Sequence, residues 1–237
     1  MNPVVELANV SKNYHGLRPL RVAQLTVSAG EQVAILGLDQ AAAEVFVNLI
    51  TGATLPDGGG VKLFGRPTES ISDSADWLAL VDRFGIVSER AVLLDGLSVI
   101  QNVAVPFTLD IEPPPDDVRQ RAEALAAEAG LVATEWPRTI AELDGTSRAR
   151  VRLARALALD PAVLIAEHPT ANVPRRDVAA FGADIGSIGR RRRVSVVAIT
   201  ADAEFARAIG GRVLTLEPAS GVLGRTGLGR WFRNRHS

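Results

Sequence analysis

The sequence predicts an α/β domain built around a mostly parallel sheet, with an antiparallel β region at its amino-terminal end and a helical subdomain inserted between strands. Four short, almost wholly apolar runs, at 32–36, 162–166, 194–199 and 212–216, are typical of strands buried on both faces of a parallel sheet. Stretches rich in alanine, glutamate and arginine at helical spacing lie elsewhere in the chain. Strands that alternate with helices imply parallel strands joined by right-handed crossovers.

The antiparallel region is predicted at the start of the chain. Residues 4–10 and 22–27 alternate, or nearly alternate, apolar and polar side chains, and residues 13–16 between them carry a turn signal. Residues 56–60, Pro-Asp-Gly-Gly-Gly, predict a second strong turn, and a strand follows over 61–65.

The helices are predicted from composition and from stop signals. Residues 41–50 favour a helix that directly follows the first buried strand, and Thr51-Gly52 ends it. Residues 72–80 and 116–130 are also helical in spacing. We therefore expect a helical subdomain over roughly 88–155, inserted into the α/β core.

The predicted domain spans residues 1–220, and a basic tail occupies 221–237. The tail is rich in glycine and arginine and contains Trp231 and Phe232. Such a segment can contact an anionic membrane surface or a partner, or it can be a solvated terminus.

Composition excludes several functional classes. The 237 residues include 26 basic and 27 acidic side chains, and a net charge of -1 argues against a dedicated nucleic-acid binder. The absence of cysteine excludes disulfides, thiolate metal sites and thiol catalysis, and only three histidines (His15, His168 and His236) are available for a metal. No window has the roughly 20 apolar residues of a membrane span, and the start lacks a signal peptide. We expect a soluble, intracellular chain.

A buried strand, a glycine and then a helix form the setting of a phosphate-binding loop, whose pattern is G-x-x-x-x-G-K-[ST]. In that loop, backbone N–H groups wrap the phosphates, the lysine neutralises them and the hydroxyl holds magnesium. Residues 37–45 read Gly-Leu-Asp-Gln-Ala-Ala-Ala-Glu-Val, so only Gly37 matches. From the pattern alone, this stretch is a plain strand-to-helix turn.

The surrounding motifs change that interpretation. VAILG with NLITG, LPDGGGVKLFGRP, LLDGLSVIQNV and RVRLARALALDPAVLIAEHPTANV occur in this order. Together they closely resemble the ATP-binding subunit of ABC transporters over nearly the whole chain. The resemblance implies a P-loop NTPase-like ABC ATPase fold and ATP and magnesium as cofactors. It further implies a membrane permease as partner, a homodimer or heterodimer with an ATPase-like subunit, and a cytoplasmic, peripheral location at the inner face of the membrane.

The resemblance also assigns site positions. The nucleotide-binding positions of the family fall on Tyr14, Gly37, Asp39, Gln40, Ala42, Ala43, Glu44 and Val45. The signature sequence, which in the family contacts ATP held by the opposite subunit, falls on Leu143, Asp144, Gly145, Thr146 and Ser147. The catalytic positions fall on Ala43, Glu89, Glu167, His168 and Ala201, and a loop aspartate falls on Pro174.

Most of these positions have lost the residue that the family chemistry uses. Tyr14, which would stack on adenine, is retained, but the phosphate-loop lysine is Ala43 and the following hydroxyl is Glu44. The glutamine that senses magnesium is Glu89, the magnesium-binding aspartate is Glu167, and the glutamate that polarises water is His168. The switch histidine near the last strands is Ala201.

The charges at these positions oppose ATP. Asp39 and Glu44 would stand beside the phosphates of the chain's own nucleotide, and Asp144 would face that of a partner. The two lysines, Lys12 and Lys62, lie in the β region, and no arginine occurs between Arg21 and Arg66. A replacement cation would have to come from a distant segment. We expect weak or absent binding of ATP and magnesium, with Glu167 as the only candidate metal ligand.

Three hypotheses follow. The first is a catalytically silent pseudo-ATPase that docks on a permease through residues 90–105 and pairs with an ATPase-like subunit. The second is residual ATP binding and slow hydrolysis by a rearranged site that uses Tyr14, Glu167 and His168. The third is a free-standing scaffold or regulatory protein.

Overall fold

The computed structural model describes residues 2–14 and 16–225. His15 in the first predicted turn, His236 and the tail from Thr226 onward, with Trp231 and Phe232, lie outside the described residues. The strands are β1 (Pro3–Lys12), β2 (Leu20–Ser28), β3 (Gln32–Leu36), β4 (Gly58–Leu63), β5 (Arg66–Pro67), β6 (Phe84–Ser88), β7 (Val163–Glu167), β8 (Ser195–Ile199), β9 (Arg212–Leu216) and β10 (Leu223–Arg225). The helices are α1 (Gln40–Ile50), α2 (Ser74–Val81), α3 (Val99–Ala104), α4 (Asp116–Glu128), α5 (Gly145–Ala156), α6 (Arg175–Arg192) and α7 (Ala203–Ala208).

A small antiparallel sheet forms the amino-terminal layer, with strand order β2-β1-β4-β5. Leu7 of β1 lies between Leu25 of β2 and Val61 of β4, so apolar residues face the same side. The strand predicted over 61–65 begins earlier, because Gly58 to Gly60 pair with β1 through their backbone across a register shift. Part of the glycine run that predicted a turn therefore belongs to β4.

The main sheet has six strands in the order β10-β9-β3-β8-β7-β6. All of its pairings are parallel except that of β10 with β9. This is the predicted mostly parallel sheet with helical connections. β3 lies between β8 and β9, although β8 and β9 follow it by more than 150 residues.

The strands β5, β6 and β10 and the helices α6 and α7 were not predicted, and α3 and α5 were predicted only as part of the helical subdomain. The β6 strand completes the edge of the main sheet, and α6 and α7 connect β7 to β8 and β8 to β9. Leu223–Arg225, near the start of the predicted tail 221–237, form β10 and extend the sheet beyond β9.

The main sheet separates two hydrophobic cores, and alternate residues of each strand supply one or the other. Val33 and Ile35 of β3 contact the core under the antiparallel sheet and α1, whereas Ala34 contacts the core that includes α5 and α6. β7 and β8 alternate in the same way. Burial on both faces explains why these strands appear in the sequence as continuous apolar runs.

The helices α3, α4 and α5 form the helical subdomain between β6 and β7. Asn102 of α3 is fully buried, and its amide donates to the carbonyls of Leu94, Leu97 and Ser98. This residue fixes the turn that leads from β6 into the subdomain. None of the helices in the described part of the chain is long and apolar enough to span a bilayer.

Candidate functional site

The candidate site lies at the carboxyl-terminal edge of the main sheet. Ser88, Glu167 and Ile199 are in register as the last residues of β6, β7 and β8. β3 ends beside them and continues through Gly37 into α1. In open α/β sheets, ligands bind outside the carboxyl ends of the strands, which makes this edge the candidate site.

The turn from β3 to α1 is short and is closed by Asp39. Gly37 has a φ of +94°, and a Cβ there would lie 2.8 Å from the carbonyl oxygen of Leu216. α1 begins at Gln40, and the Asp39 carboxylate accepts a 2.8 Å hydrogen bond from the N–H of Ala42. A helix amino terminus attracts anions, and here a side-chain anion already occupies it.

Ala43, at the position of the phosphate-loop lysine, is fully buried. Its N–H donates to the carbonyl oxygen of Asp39 at 2.8 Å, within the first turn of α1. Ala42 is buried beside it, whereas Gln40 is exposed. From Gln40 onward, the residues that would wrap phosphates are thus helical, and the lysine position belongs to the core under the antiparallel sheet.

The guanidinium of Arg90 joins Glu44 and Glu167, which stand at two of the positions expected around magnesium. Arg90 Nη2 and Nε lie 2.7 and 3.1 Å from Glu167 Oε2. Arg90 Nη1 lies 3.0 Å from Glu44 Oε1. The Glu167 side chain has no exposed surface, whereas the side chains of Arg90 and Glu44 are about half-exposed. We call these three residues the Arg90 triad.

The backbone of Arg90 is fixed from both sides. Its N–H donates to Ser88 Oγ at 3.1 Å. Glu89, which stands at the magnesium-sensing glutamine position, forms an ion pair with Arg152 of α5 at 3.0 Å. Arg152 Nε also donates to the carbonyl of Ala91 at 3.2 Å. Glu89 therefore contacts the helical subdomain rather than the Arg90 triad.

Tyr14, the family's adenine-stacking residue, is half-buried beside Asp39. These two residues, together with Gly37 and Ala42, line a cavity of about 80 Å3. Ligand pockets usually measure roughly 300 to 1,000 Å3. Partial burial and, to a lesser extent, the negative charge of Asp39 raise the pKa of the Tyr14 phenol.

His168 and Ala201 line a separate cleft of about 510 Å3 beside α7. His168 has a φ of +40°, which is uncommon for a residue with a side chain, and its N–H donates to the Ile199 carbonyl at 2.8 Å. Its Nε2 is buried and has no hydrogen-bond partner among the described residues. Pro174 precedes α6, and Arg175 beside it forms ion pairs with Asp202 and Glu204.

The signature segment is held by bonds within the chain. Asp144 caps α5 by accepting the N–H of Ser147 at 2.8 Å. Thr146 Oγ1 donates to Asp177 at 2.8 Å, and Ser147 Oγ donates to Glu135. Both hydroxyls are thus engaged with carboxylates of the same chain, and Leu143 is buried.

A Cβ at Gly145 would lie 1.8 Å from the carbonyl oxygen of Asn172. The amino terminus of α5 and the loop after β7 therefore touch through their backbones, and only glycine fits at this position.

These residues do not fit a magnesium nucleotide. The helix terminus that should bind phosphate holds the Asp39 carboxylate, and the Arg90 guanidinium lies between the two carboxylates expected at the metal. No group of three or more acidic, histidine or cysteine side chains that could hold a metal is found among the described residues. Glu167 is the nearest to a metal ligand, and one of its oxygens already bonds to Arg90.

The structure brings together some of the predicted residues and separates others. Glu44 and Glu167 meet through Arg90, Tyr14 lies beside Asp39, and His168 shares a cleft with Ala201. The sequence interpretation missed Arg90 as a site residue. Two signals pointed to it: the need for a cation from a distant segment, and its place directly after Glu89 at the magnesium-sensing position.

Comparisons with known proteins identify the family. A family model described as "ABC transporter" matches residues 20–171, more than half of the chain. The chain belongs to the ABC transporter family. A relative from Coxiella burnetii, named "Lipoprotein-releasing system ATP-binding protein LolD", is 29% identical over 219 residues, which cover 91% of this chain and 93% of the relative. The LolD of Anaeromyxobacter dehalogenans is 30% identical over 208 residues, which cover 86% of this chain and 87% of the relative.

Other relatives of this ABC family member are also named as ATP-binding proteins. The "Methionine import ATP-binding protein MetN" of Brucella abortus is 28% identical over 217 residues, but this chain spans only 58% of its length. Among solved structures, the dimeric bacterial ABC transporter cassette MJ0796 has a TM-score of 0.76 at 24% identity, with 93% of this chain and 97% of that chain covered. At that identity the likeness establishes the ABC cassette fold.

Proposed function

We propose that this ABC family member is a catalytically silent subunit, which docks on a membrane permease and pairs with another ATPase-like chain. The proposal places it at the inner face of the membrane as a peripheral protein. Its relatives are named as ATP-binding proteins of lipoprotein release and of methionine import, and this supports a role in transport.

One observation carries the silent part of the proposal. The first turn of α1 is capped by Asp39, and Ala43 is buried where a phosphate-neutralising lysine would be needed. Phosphoryl transfer depends mainly on positioning and on charge stabilisation. The Asp39 carboxylate takes the place of a phosphate, and the Ala43 methyl group takes the place of the lysine cation. Positioning and charge stabilisation are therefore both lost.

A surface groove supports the docking part. The groove, about 270 Å3, is lined by Ala91, Pro106, Arg155 and Leu159 together with β6 residues. Val92 and Leu94, from the segment 90–105 predicted to contact a permease, are exposed apolar side chains at 73% and 42%. Exposed apolar side chains of this kind suit contact with the apolar face of a partner helix.

The rearranged-site alternative finds less support. Glu167 Oε2 is bonded to Arg90, and Glu167 Oε1 and His168 Nε2 are buried, so none of these three atoms is accessible to a nucleotide. The hypothesis of a free-standing scaffold assumes the same site, and it differs from the silent-subunit proposal only in the partner of the chain.

Calorimetric titration with ATP and magnesium tests the silent proposal. We expect no binding tighter than about 1 mM, since two carboxylates beside the phosphates each oppose binding by about 1 to 4 kcal/mol. Ala43→Lys alone should not restore binding, because Asp39 and the Arg90 triad remain. ATP should bind more tightly to a combined variant than to the wild type or to Ala43→Lys. The combined variant carries Asp39→Ser, Gln40→Gly, Ala42→Gly, Ala43→Lys and Glu44→Ser.

An active ATP-binding cassette serves as the positive control in the same titration. Wild-type binding tighter than about 10 μM would contradict the silent proposal.

A further inference from the structure

The Arg90 triad has an unusual charge arrangement. The carboxylates of Glu44 and Glu167 contact different nitrogens of one guanidinium, so two formal negative charges share one formal positive charge. Glu167 Oε1 is buried and has no hydrogen-bond partner among the described residues. Buried carboxylates are normally paired or coordinate a metal, and among the described residues the cation bonded to Glu167 is Arg90.

We propose that Arg90 is a built-in replacement for a divalent cation at the junction of α1, β6 and β7. The guanidinium joins the first turns of α1 to the end of β7, as a metal ion bound by Glu44 and Glu167 would. The proposal concerns the cation of the site and applies equally to a docked subunit and to a free-standing chain.

The position of Arg90 is determined by the fold rather than by chance contact. Ser88, the last residue of β6, is in register with Glu167 on the neighbouring strand. Ser88 Oγ accepts the N–H of Arg90, which turns the chain back toward β7. Glu89 and Ala91, on either side of Arg90, are both bonded to Arg152. Arg90 is therefore presented to the two carboxylates by a fixed turn.

A divalent cation should then be able to replace Arg90. In the variant Arg90→Gln, Glu44 and Glu167 lose their cation, and we expect a lower melting temperature than that of the wild type. Addition of 10 mM Mg²⁺ should raise this melting temperature by about 3 to 6 °C if that concentration is about ten times the Kd of the ion. The measurement is thermal unfolding followed by circular dichroism, with sodium chloride at matched ionic strength as the reference.

Two further variants separate cation replacement from a general salt effect. Arg90→Lys keeps the positive charge, so Mg²⁺ should shift its melting temperature by less than about 1 °C, like that of the wild type. Arg90→Gln combined with Glu167→Gln removes the buried carboxylate and should also lose the response. A folded Arg90→Gln variant without a Mg²⁺ response, or a wild type with an equal response, overturns the proposal.

A second measurement applies even if Arg90→Gln does not fold. Free Mn²⁺ is followed by electron paramagnetic resonance in the presence of the wild type and of Glu44→Gln. The proposal requires that the wild type binds no Mn²⁺ through these carboxylates. Mn²⁺ binding by the wild type that disappears in Glu44→Gln would overturn it.

Discussion

At the scale of single residues, Asp39 determines most of the character of the site. Its side chain caps α1, and its charge lies beside Tyr14, where a nucleotide base would be expected. The same carboxylate thus stabilises the helix and opposes phosphate. A charge that the sequence shows only as an obstacle to ATP has a structural role in the folded protein.

Tyr14 is the only tyrosine in the chain, so its titration can be observed directly. We expect the phenol to titrate above 10.0, because burial and the Asp39 charge both disfavour the phenolate. Asp39→Asn keeps a capping side chain but removes the charge, and it should lower the pKa of Tyr14. Absorbance near 295 nm against pH measures both proteins. An unchanged pKa in Asp39→Asn would show that Asp39 does not act on Tyr14.

At the scale of elements, ion pairs connect the helical subdomain to the rest of the chain. Arg192 near the end of α6 lies 2.5 Å from Glu128 of α4 and 2.9 Å from Asp160. Arg150 of α5 pairs with Asp184 of α6 at 2.6 Å. These ion pairs therefore hold the helical subdomain against α6.

The Glu128 pair predicts a specific loss of stability in acid. The hydrogen bond from Arg192 is the main reason that the pKa of Glu128 lies below 4.5. A lowered pKa contributes stability that is present above the unfolded value and is lost as the pH falls through the folded value. Urea unfolding at a series of pH values below about 5 should therefore show a shallower pH dependence in Glu128→Gln than in the wild type.

Glu123→Gln, on the same helix, is the matched control for the Glu128 variant. If both variants change the acid limb equally, the Arg192 pair is not its source.

At the scale of the whole molecule, the parallel sheet and its two cores follow from periodicity, while the site does not. Residues 212–216 were predicted with the correct bounds because their apolar pattern is local. β6 was missed because Gly85 and the flanking charges obscure its short apolar run. The contact of Arg90 with Glu167 joins positions 77 apart, and no local pattern encodes it.

The internal bonding of the signature segment predicts how the chain assembles. Thr146 and Ser147 are already engaged within the chain, so a bound nucleotide on a partner has no free hydroxyl to contact there. Light scattering after size-exclusion chromatography should give the same mass with and without ATP and magnesium. Coexpression with a permease and a competent ATPase chain should instead yield a complex. Recovery from native cells as an unpartnered monomer would contradict the pairing.

Arg90 is part of the chain, unlike a soluble metal ion or nucleotide, and this affects how the site responds to the supply of ligand. A subunit that must capture a soluble ligand changes state with the concentration of that ligand, because its occupancy follows mass action. The Arg90 cation belongs to the chain, so its occupancy contains no concentration term. For the silent subunit proposed above, the occupancy of this cation position would be the same in fed and starved cells, and a response of the transporter to metabolic supply would have to come from another chain.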